Sequence, residues 1–436
     1  MEGSRWPFSR PTSPATLARQ MAEFERDVAE ALERGSGDRA TMAPRSRLGR
    51  AYAITGRSSE AVEILADNLA VAEQALGQDD VVTLAARNDL AWARLKMGKV
   101  SQALAGHEQV VASLERVLGA DSAATAAARS DLGFAQQRAR QRDLAILSLE
   151  RALGYLTEAL GPDHPDSLLC RIRLASAYRA GGRLAEAIQA AEQTSAACDR
   201  LLSTDDPEGI SCRSTLGAIY SYAGRVAEAA PLLERARSDF LRVLGPDHPE
   251  TIRTRLGLAS NLYRSGDFEA AVSEYQLALA AAERVHGADH QLSAVTADRL
   301  ADAHLKAGQP AKAVAVLEGA VAQAGQGQGA DVSTGALRRV RLGSAYAQAG
   351  DAVAGVKIVE AVVADLAREF GTDDGVTLDA QFVLADLYLK SGRKREAGQL
   401  YSQILPDLTR LYGPDHQVTK VARARRAHSF GVRLGR

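Results

Sequence analysis

The sequence has little of what catalytic, secreted or membrane-bound chains display. Its three cysteines, Cys170, Cys198 and Cys212, are too few and too unpatterned for a disulfide scaffold or a zinc site. No charge dominates. The 53 Lys and Arg nearly cancel 54 Asp and Glu, leaving a net charge of −1 that points to neither nucleic acid nor an anionic membrane. No apolar window of about 18 residues occurs, so no transmembrane helix is expected. The opening MEGSRWPFSRPTSP lacks the apolar core of a secretory signal. With Pro7, Pro11 and Pro14 opposing helix, residues 1–15 are expected as a disordered tail. Lysine is missing between Lys99 and Lys306, an arginine bias that fits a GC-rich bacterial genome. A cytoplasmic chain is expected. Enzyme signatures are missing as well: there is no G-x-x-x-x-G-K-[ST], H-E-x-x-H, G-x-S-x-G or C-x-x-C. The expectation is therefore no enzyme, no cofactor and no metal.

What is present is a ruler. Length alone suggests about three domains, but a strict period overrides that prior. Stepping by 42 residues gives Gly35, Gly77, Gly119, Gly161, Ser203, Gly245, Gly287, Gly329, Gly371 and Gly413, with Asp two residues after nine of them. A second series runs Gly56, Gly98, Arg140, Gly182, Gly224, Gly266, Gly308, Gly350 and Gly392. Eight residues before each of these stands a leucine, from Leu48 to Leu384, followed always by Gly or Ala. Five residues after stands Ala in eight of nine cases, Gly355 being the exception.

Between marks the apolar residues recur at helical spacing, as in HPDSLLCRIRLASAYRAGG and RLAEAIQAAEQTSAACDRLL. Each period is thus two antiparallel helices with a turn at the second glycine. The small residue beside the leucine and the alanine after the turn face each other where the backbones come close. One hairpin cannot bury its apolar stripe, so neighbours must stack. The fold class is all-α, an α/α solenoid. Residues 36–413 form nine 42-residue units, 16–35 a capping helix, and 414–436 a C-terminal capping helix and tail.

The pattern Leu-[Gly/Ala]-x-x-Tyr before the turn (Leu216, Gly217, Tyr220, Gly224) with Ala229 after it resembles the tetratricopeptide repeat. The 42-residue period and LGPDHP are similar to the long-helix variety of kinesin light chains and bacterial repeat proteins. Such a resemblance implies a scaffold that binds other proteins. The Tyr is replaced by Arg94, Gln136, Leu262 and His304 in four units, and Arg140 replaces a turn glycine, so the third hairpin is expected to be the least regular. The Gly-rich AQAGQGQGAD, Ala322–Asp331, is the expected weak point, since each glycine costs helix stability.

Three series invite chemistry and receive structural readings. His164, His248, His290 and His416 share one repeat position with Asp80, Ser122, Asp206 and Asp374. All are short polar side chains before a helix, which fits capping; Pro165 and Pro249 then stand at N1. Arg45, Arg87, Arg129, Arg171, Arg213, Arg255 and Arg339 fall on the packing face and are expected against a Tyr or a carboxylate rather than a phosphate. Cys170 and Cys212, one period apart, lie beyond disulfide reach and are read as buried thiols.

The first helices are expected to line a concave surface. Its candidate residues are Arg50, Asn88, Trp92, Phe134, Tyr222, Tyr263, Asp298, Asp302 and Asp386. Trp92 and Phe134 beside Asn88 make an apolar spot, while the three aspartates make the C-terminal half acidic. That polarity would suit a peptide apolar at one end and basic at the other. The function expected is a non-enzymatic scaffold or adaptor that binds a peptide or protein segment, with no membrane and no nucleic-acid partner. The alternative is a peptide-sensing regulator whose superhelix changes pitch.

Overall fold

The joint glycines adopt a backbone conformation that side chains exclude. Gly77, Gly119, Gly161, Gly245, Gly287, Gly371 and Gly413 have φ between +86 and +94 and ψ between 159 and 173, a region that is essentially glycine's alone. Each closes one helix and redirects the chain into the next. The following helix is then capped from its own side chain. His164, His248, His290 and His416 accept, through Nδ1, the N–H two residues on at 3.1–3.4 Å, as Asp80, Asp206 and Asp374 do at 2.8–2.9 Å. Ser122 holds the cap position without a side-chain bond. Pro165, Pro207 and Pro249 open their helices, where a missing N–H costs nothing. Behind the cap, Thr125, Ser167 and Ser293 donate to the joint glycine's carbonyl at 2.7–2.8 Å.

The computed structural model describes residues 14–33, 39–324 and 332–430, and every regular element among them is a helix. The tail of residues 1–13, the capping Gly35, the Gly325–Gly329 weak point and residues 431–436 lie outside the described residues. The chain divides into two compact units, Met1–Gly266 and Asp267–Arg436.

In the first unit α1 (Pro14–Glu33) precedes five hairpins and one further helix. The hairpins are α2 (Arg39–Ile54) with α3 (Ser58–Leu76), α4 (Val81–Lys96) with α5 (Val100–Leu118), and α6 (Ala123–Arg138) with α7 (Arg142–Leu160). Then come α8 (Pro165–Ala180) with α9 (Leu184–Leu201), α10 (Pro207–Tyr222) with α11 (Val226–Leu244), and finally α12 (Pro249–Ser265). First helices touch one another in succession, α2 on α4, α4 on α6, α6 on α8, α8 on α10 and α10 on α12, so they line the inside of the curve. Helix α1 packs on α2 and also reaches α11. Leu17 and Met21 share a cluster there with Ile210, Phe240, Val243 and Leu244.

The second unit opens with α13 (Phe268–His286). Its hairpins are α14 (Gln291–Lys306) with α15 (Pro310–Ala324), α16 (Val332–Gln348) with α17 (Ala352–Phe370), and α18 (Gly375–Lys390) with α19 (Lys394–Tyr412). Helix α20 (Gln417–Ser429) covers α19, and the Phe430 ring lies over Gly398, where a Cβ would come within 2.7 Å of it.

Close approach of the two backbones explains the small residues. Ala61, Ala103, Ala145, Ala187, Ala229, Ala313 and Ala397 are fully buried. A Cβ on Gly217 would lie 2.8 Å from Leu233, so a larger residue must displace the facing helix. Gly355, the one exception to the alanine, faces Gly343: a Cβ on Gly343 would lie 2.9 Å from the Gly355 carbonyl oxygen. Arg140 does not disturb the third hairpin as expected. It takes the left-handed φ of +62 itself, and the turn keeps the bonds Arg140 N–H to Gln137 O and Gln141 N–H to Gln136 O seen at its glycine counterparts.

Where the Tyr before the turn is kept, its hydroxyl meets a glutamate, and in four of the five units an arginine lies over its ring. Tyr178 donates to Glu150 at 2.8 Å and carries Arg183 over its ring at 4.3 Å, while Arg183 pairs with Glu150 and Glu186. Tyr52 with Arg57, Tyr220 with Arg225 and Tyr388 with Arg393 repeat the arrangement. The four positions that lost the Tyr have Lys99, Gln141, Asp267 and Gln309 in place of the Arg. Tyr346 keeps its glutamate, Glu318, but has Asp351 in place of the Arg, so the arginine occurs only with the ring while the ring also occurs without it.

Candidate functional site

The inner stripe of each first helix is set by the packing of the other faces. In α4 the buried Leu84, Arg87, Leu90, Ala91 and Leu95 leave Val81, Ala85, Asn88, Trp92 and Lys96 on the open side. Spacing of four, three, four and four residues makes one line along a helix. Asn88 and Trp92 belong to the stripe expected from sequence; Lys96 and its repeat equivalents Arg138, Tyr222, Arg264, Lys306 and Lys390 extend it.

In the first unit this stripe carries cations on rings. Lys96 stands over Trp92 at 5.2 Å, Arg173 over Phe134 at 5.0 Å, and Arg179 and Arg264 flank Tyr222 at 5.3 and 5.7 Å. Trp92 and Phe134 are half-buried and Tyr222 is 48% exposed. Tyr263, near the end of α12, is half-buried. Lys96 lies within electrostatic reach of Arg138, Arg173 and Arg253, with Glu250 the one carboxylate among them. Burial works against the ionised form of Glu250, yet Arg253, Lys96 and His248 hold it below the usual carboxylate range. The apolar spot expected at Trp92 and Phe134 is thus a basic, aromatic one.

Several candidates are engaged within the protein. The Asn88 amide donates to Asp131 at 2.7 Å and its oxygen meets His107 Nδ1 at 2.9 Å. Arg173 completes the network, donating to Asp131 at 2.8 Å and Ser130 at 3.1 Å. Arg50 pairs with the buried Asp89 at 2.9 Å. These bonds run from hairpin to hairpin, so the stripe partly holds its own curve.

The second unit has the aspartates. Asp298 accepts from Arg338 at 2.9 and 3.3 Å, with Arg341 at 3.7 Å. Asp386 pairs with Arg425 of α20 and accepts the Tyr401 hydroxyl. Asp302 is half-buried, and desolvation pushes its carboxyl above the usual range, with Asp298 adding to the effect and Arg341 opposing it. The cap arginine Arg425 is what neutralises Asp386. Nothing in the repeat pattern pointed to that pair, because Arg425 belongs to the helix where the period fades.

The arginine series behaves as packing. Arg87 pairs with Glu73 at 2.6 Å, Arg213 with Asp199 and Asp239 at 3.1 Å, and Arg339 with Asp365 at 3.2 Å. Arg45, Arg87, Arg129, Arg213 and Arg255 are 5–8% exposed. Among the described residues, no three His, Cys, Asp or Glu side chains gather as a metal site would. No described helix is long and apolar enough to cross a membrane.

Fold and stripe define a class, the α/α solenoids built of stacked helix hairpins. Models of the tetratricopeptide repeat match residues 40–115, 210–283 and 256–324, and 125–166 and 167–208, together more than half of the chain. The chain belongs to the tetratricopeptide-repeat family. Among solved structures it is similar to the nearly identical TPR-like repeats of a Podosopora anserina kinesin light chain: 29% identity, 46% of this chain and 95% of that one, TM-score 0.38. It is also similar to BtubC (BKLC) from P. vanneervenii, at 20% identity over 53% of this chain and 92% of that one, TM-score 0.47. A Rap protein complexed with competence and sporulation factor shares the fold over 89% of this chain and 97% of its own, at 13% identity and TM-score 0.51. None of the curated proteins matches the sequence.

Proposed function

We propose that this chain is a non-enzymatic, cytoplasmic scaffold or adaptor that binds a protein or peptide segment along the inner face of its first helices. In the first unit the segment is acidic. The observation that carries this is the set of cations on rings along the inner face, Trp92 with Lys96 and Tyr222 with Arg179 and Arg264, beside the Phe134 ring whose own cation, Arg173, is held by Asp131. A carboxylate laid along that line meets guanidinium and ammonium donors, and an apolar neighbour meets the ring faces. Fluorescence anisotropy with labelled acidic and basic peptides of equal length, on the full chain, tests it. The acidic peptide is expected to bind tighter, to weaken with added salt, and to lose roughly tenfold with Tyr222→Ala. Equal binding of both peptides, or a preference for the basic one, rejects the reading.

A second reading, a regulator that changes curvature on binding a peptide, has one observation in its favour. Leu17 and Met21 of α1 rest on α11, far along the same unit, so any change of curvature there must move that contact. Solution scattering separates the two: a scaffold keeps its radius of gyration with peptide bound, a regulator does not.

A further inference from the structure

We propose that Cys198 and Cys212 are a redox-responsive pair, oxidised by a peroxide to a disulfide that staples the fourth hairpin to the fifth. Cys170 and Cys212, one period apart, are buried free thiols as expected, and the neighbour of Cys212 is instead Cys198. Cys170 lies in another cluster, its thiol directed at the Leu149 carbonyl at 3.5 Å. Cys198, in the last turn of α9, places its Sγ 3.1 Å from Cys212 Sγ on α10. Both are buried, 2% and 5% exposed, among Leu168, Ala197, Ile172 and Leu202. A disulfide needs the sulfurs only about 1 Å closer.

The joint between these helices is the irregular one. Ser203 stands where the other joints in the series have glycine, and α9 ends at Leu201 with Leu202 extended at φ −107, ψ 155. Leu202 thereby turns into the thiol cluster and lies 3.6 Å from where a Gly209 Cβ would be. Helix ends open locally more readily than helix middles, so fraying of the last turn of α9 is the route by which a small oxidant reaches Cys198.

The chemistry balances with peroxide as the oxidant. Cys198, having lost its proton, attacks one peroxide oxygen. The O–O bond breaks, giving a sulfenic acid and, with the proton, one water. The Cys212 sulfur then attacks the Cys198 sulfur, the S–O bond breaks, and the Cys212 proton leaves with the hydroxide as a second water. Two thiols lose two electrons and two protons, which the peroxide takes up. The first attack falls to Cys198 because it stands in the last turn of α9, where opening admits the oxidant, while Cys212 lies inside α10 with its thiol pushed up by the Cys198 contact and burial. Reaction is slow for the same reason: neither sulfur is an exposed thiolate.

The test uses the full chain, native, exposed to hydrogen peroxide, then quenched, alkylated under denaturing conditions and read by intact mass and peptide mapping. Expected is the loss of two of the three free thiols, a mass lower by two hydrogens before alkylation, and a Cys198–Cys212 cross-linked peptide with Cys170 alkylated. A thiol reductant restores all three. Cys170→Ser keeps the response; Cys198→Ser and Cys212→Ser each abolish it, along with the rise in melting midpoint that oxidation gives the parent chain. Three alkylated thiols after oxidation, a link through Cys170 or between chains, or a Cys198–Cys212 link formed only in urea would each overturn the proposal.

Discussion

The inner faces of the two units use the same repeat positions for opposite ends. In the first unit the carboxylates sit low and are spent on cohesion: Asp89 holds Arg50, and Asp131 holds both Asn88 and Arg173. Cations and rings are left uppermost. In the second unit the carboxylates stand on the stripe itself, and arginines from neighbouring or terminal helices come to them, Arg338 to Asp298 and Arg425 to Asp386. A charged residue at a groove position is therefore a binding group or a structural tie according to what reaches it from the next hairpin. Charge read position by position cannot distinguish the two.

The strongest way to break this contrast is to remove the buried tie. Asp131 is 2% exposed and Arg173 is 8% exposed, so Asp131→Ala leaves a buried guanidinium with only the Ser130 hydroxyl and takes the acceptor from the Asn88 amide N–H. A loss of about 3–5 kcal/mol is expected, read as a fall in urea midpoint. Asp298→Ala should cost less, roughly 2 kcal/mol: it also strands a buried arginine, Arg338 at 5% exposure, but the Asp298 side chain is 16% exposed against 2% for Asp131, so water can take the carboxylate's place. Equal losses at the two sites would mean that the inner faces are built alike.

The joint histidines sharpen the contrast through pH. His248 in the first unit is buried, and desolvation pushes it down to about 4; Glu250 opposes this, and Lys96 and Arg253 add to it. Its neutral Nδ1 accepts the Glu250 N–H. The unfolded chain takes up a proton near pH 6.5 that the folded chain refuses, so stability is lost as pH falls from about 6.5 to about 4. The loss reaches roughly 2–3 kcal/mol. His290, half-buried and also lowered by desolvation, should show a shallower slope. Replacing His248 by Asp, the residue found at that position in other joints, should flatten the curve of the first unit alone. Hydrogen exchange at pH 4.5 and pH 7 locates the change.

How far the sequence could carry these arguments depends on which contacts repeat. Joint glycines, N-caps, the facing small residues and the arginine series recur every 42 residues, and each is legible because one steric reason applies nine times over. Arg140 was misread on the same logic. It was expected to loosen its hairpin, yet neighbouring turn bonds force it into glycine's conformation. Arg140→Gly should then stabilise the chain by about 1 kcal/mol, visible as a higher melting midpoint. The stripe was legible as a line but not as a surface. The Trp92 ring is where the period places it, but the Lys96 ammonium above it belongs to a position that varies from unit to unit. Cys198 and Cys212 occupy different helices of the repeat, so a search along equivalent positions passes them by.

The smallest expected effect is also the most informative about the second unit. Arg425 is 42% exposed and its partner Asp386 22%, so the pair is worth about 0.5 kcal/mol, the usual return of a partly solvated ion pair. Arg425→Ala should scarcely change unfolding. What it should change is charge: Asp386 keeps the Tyr401 hydroxyl but loses its cation. Its carboxylate then becomes available to a basic segment on the stripe. A labelled basic peptide should therefore bind the variant tighter than the parent, by a few-fold at low salt and less at high salt. Adding Asp386→Asn should cancel the gain. If Arg425→Ala instead costs more than about 2 kcal/mol, the arginine is a cohesive tie like Arg173, and the difference between the two inner faces disappears at this position.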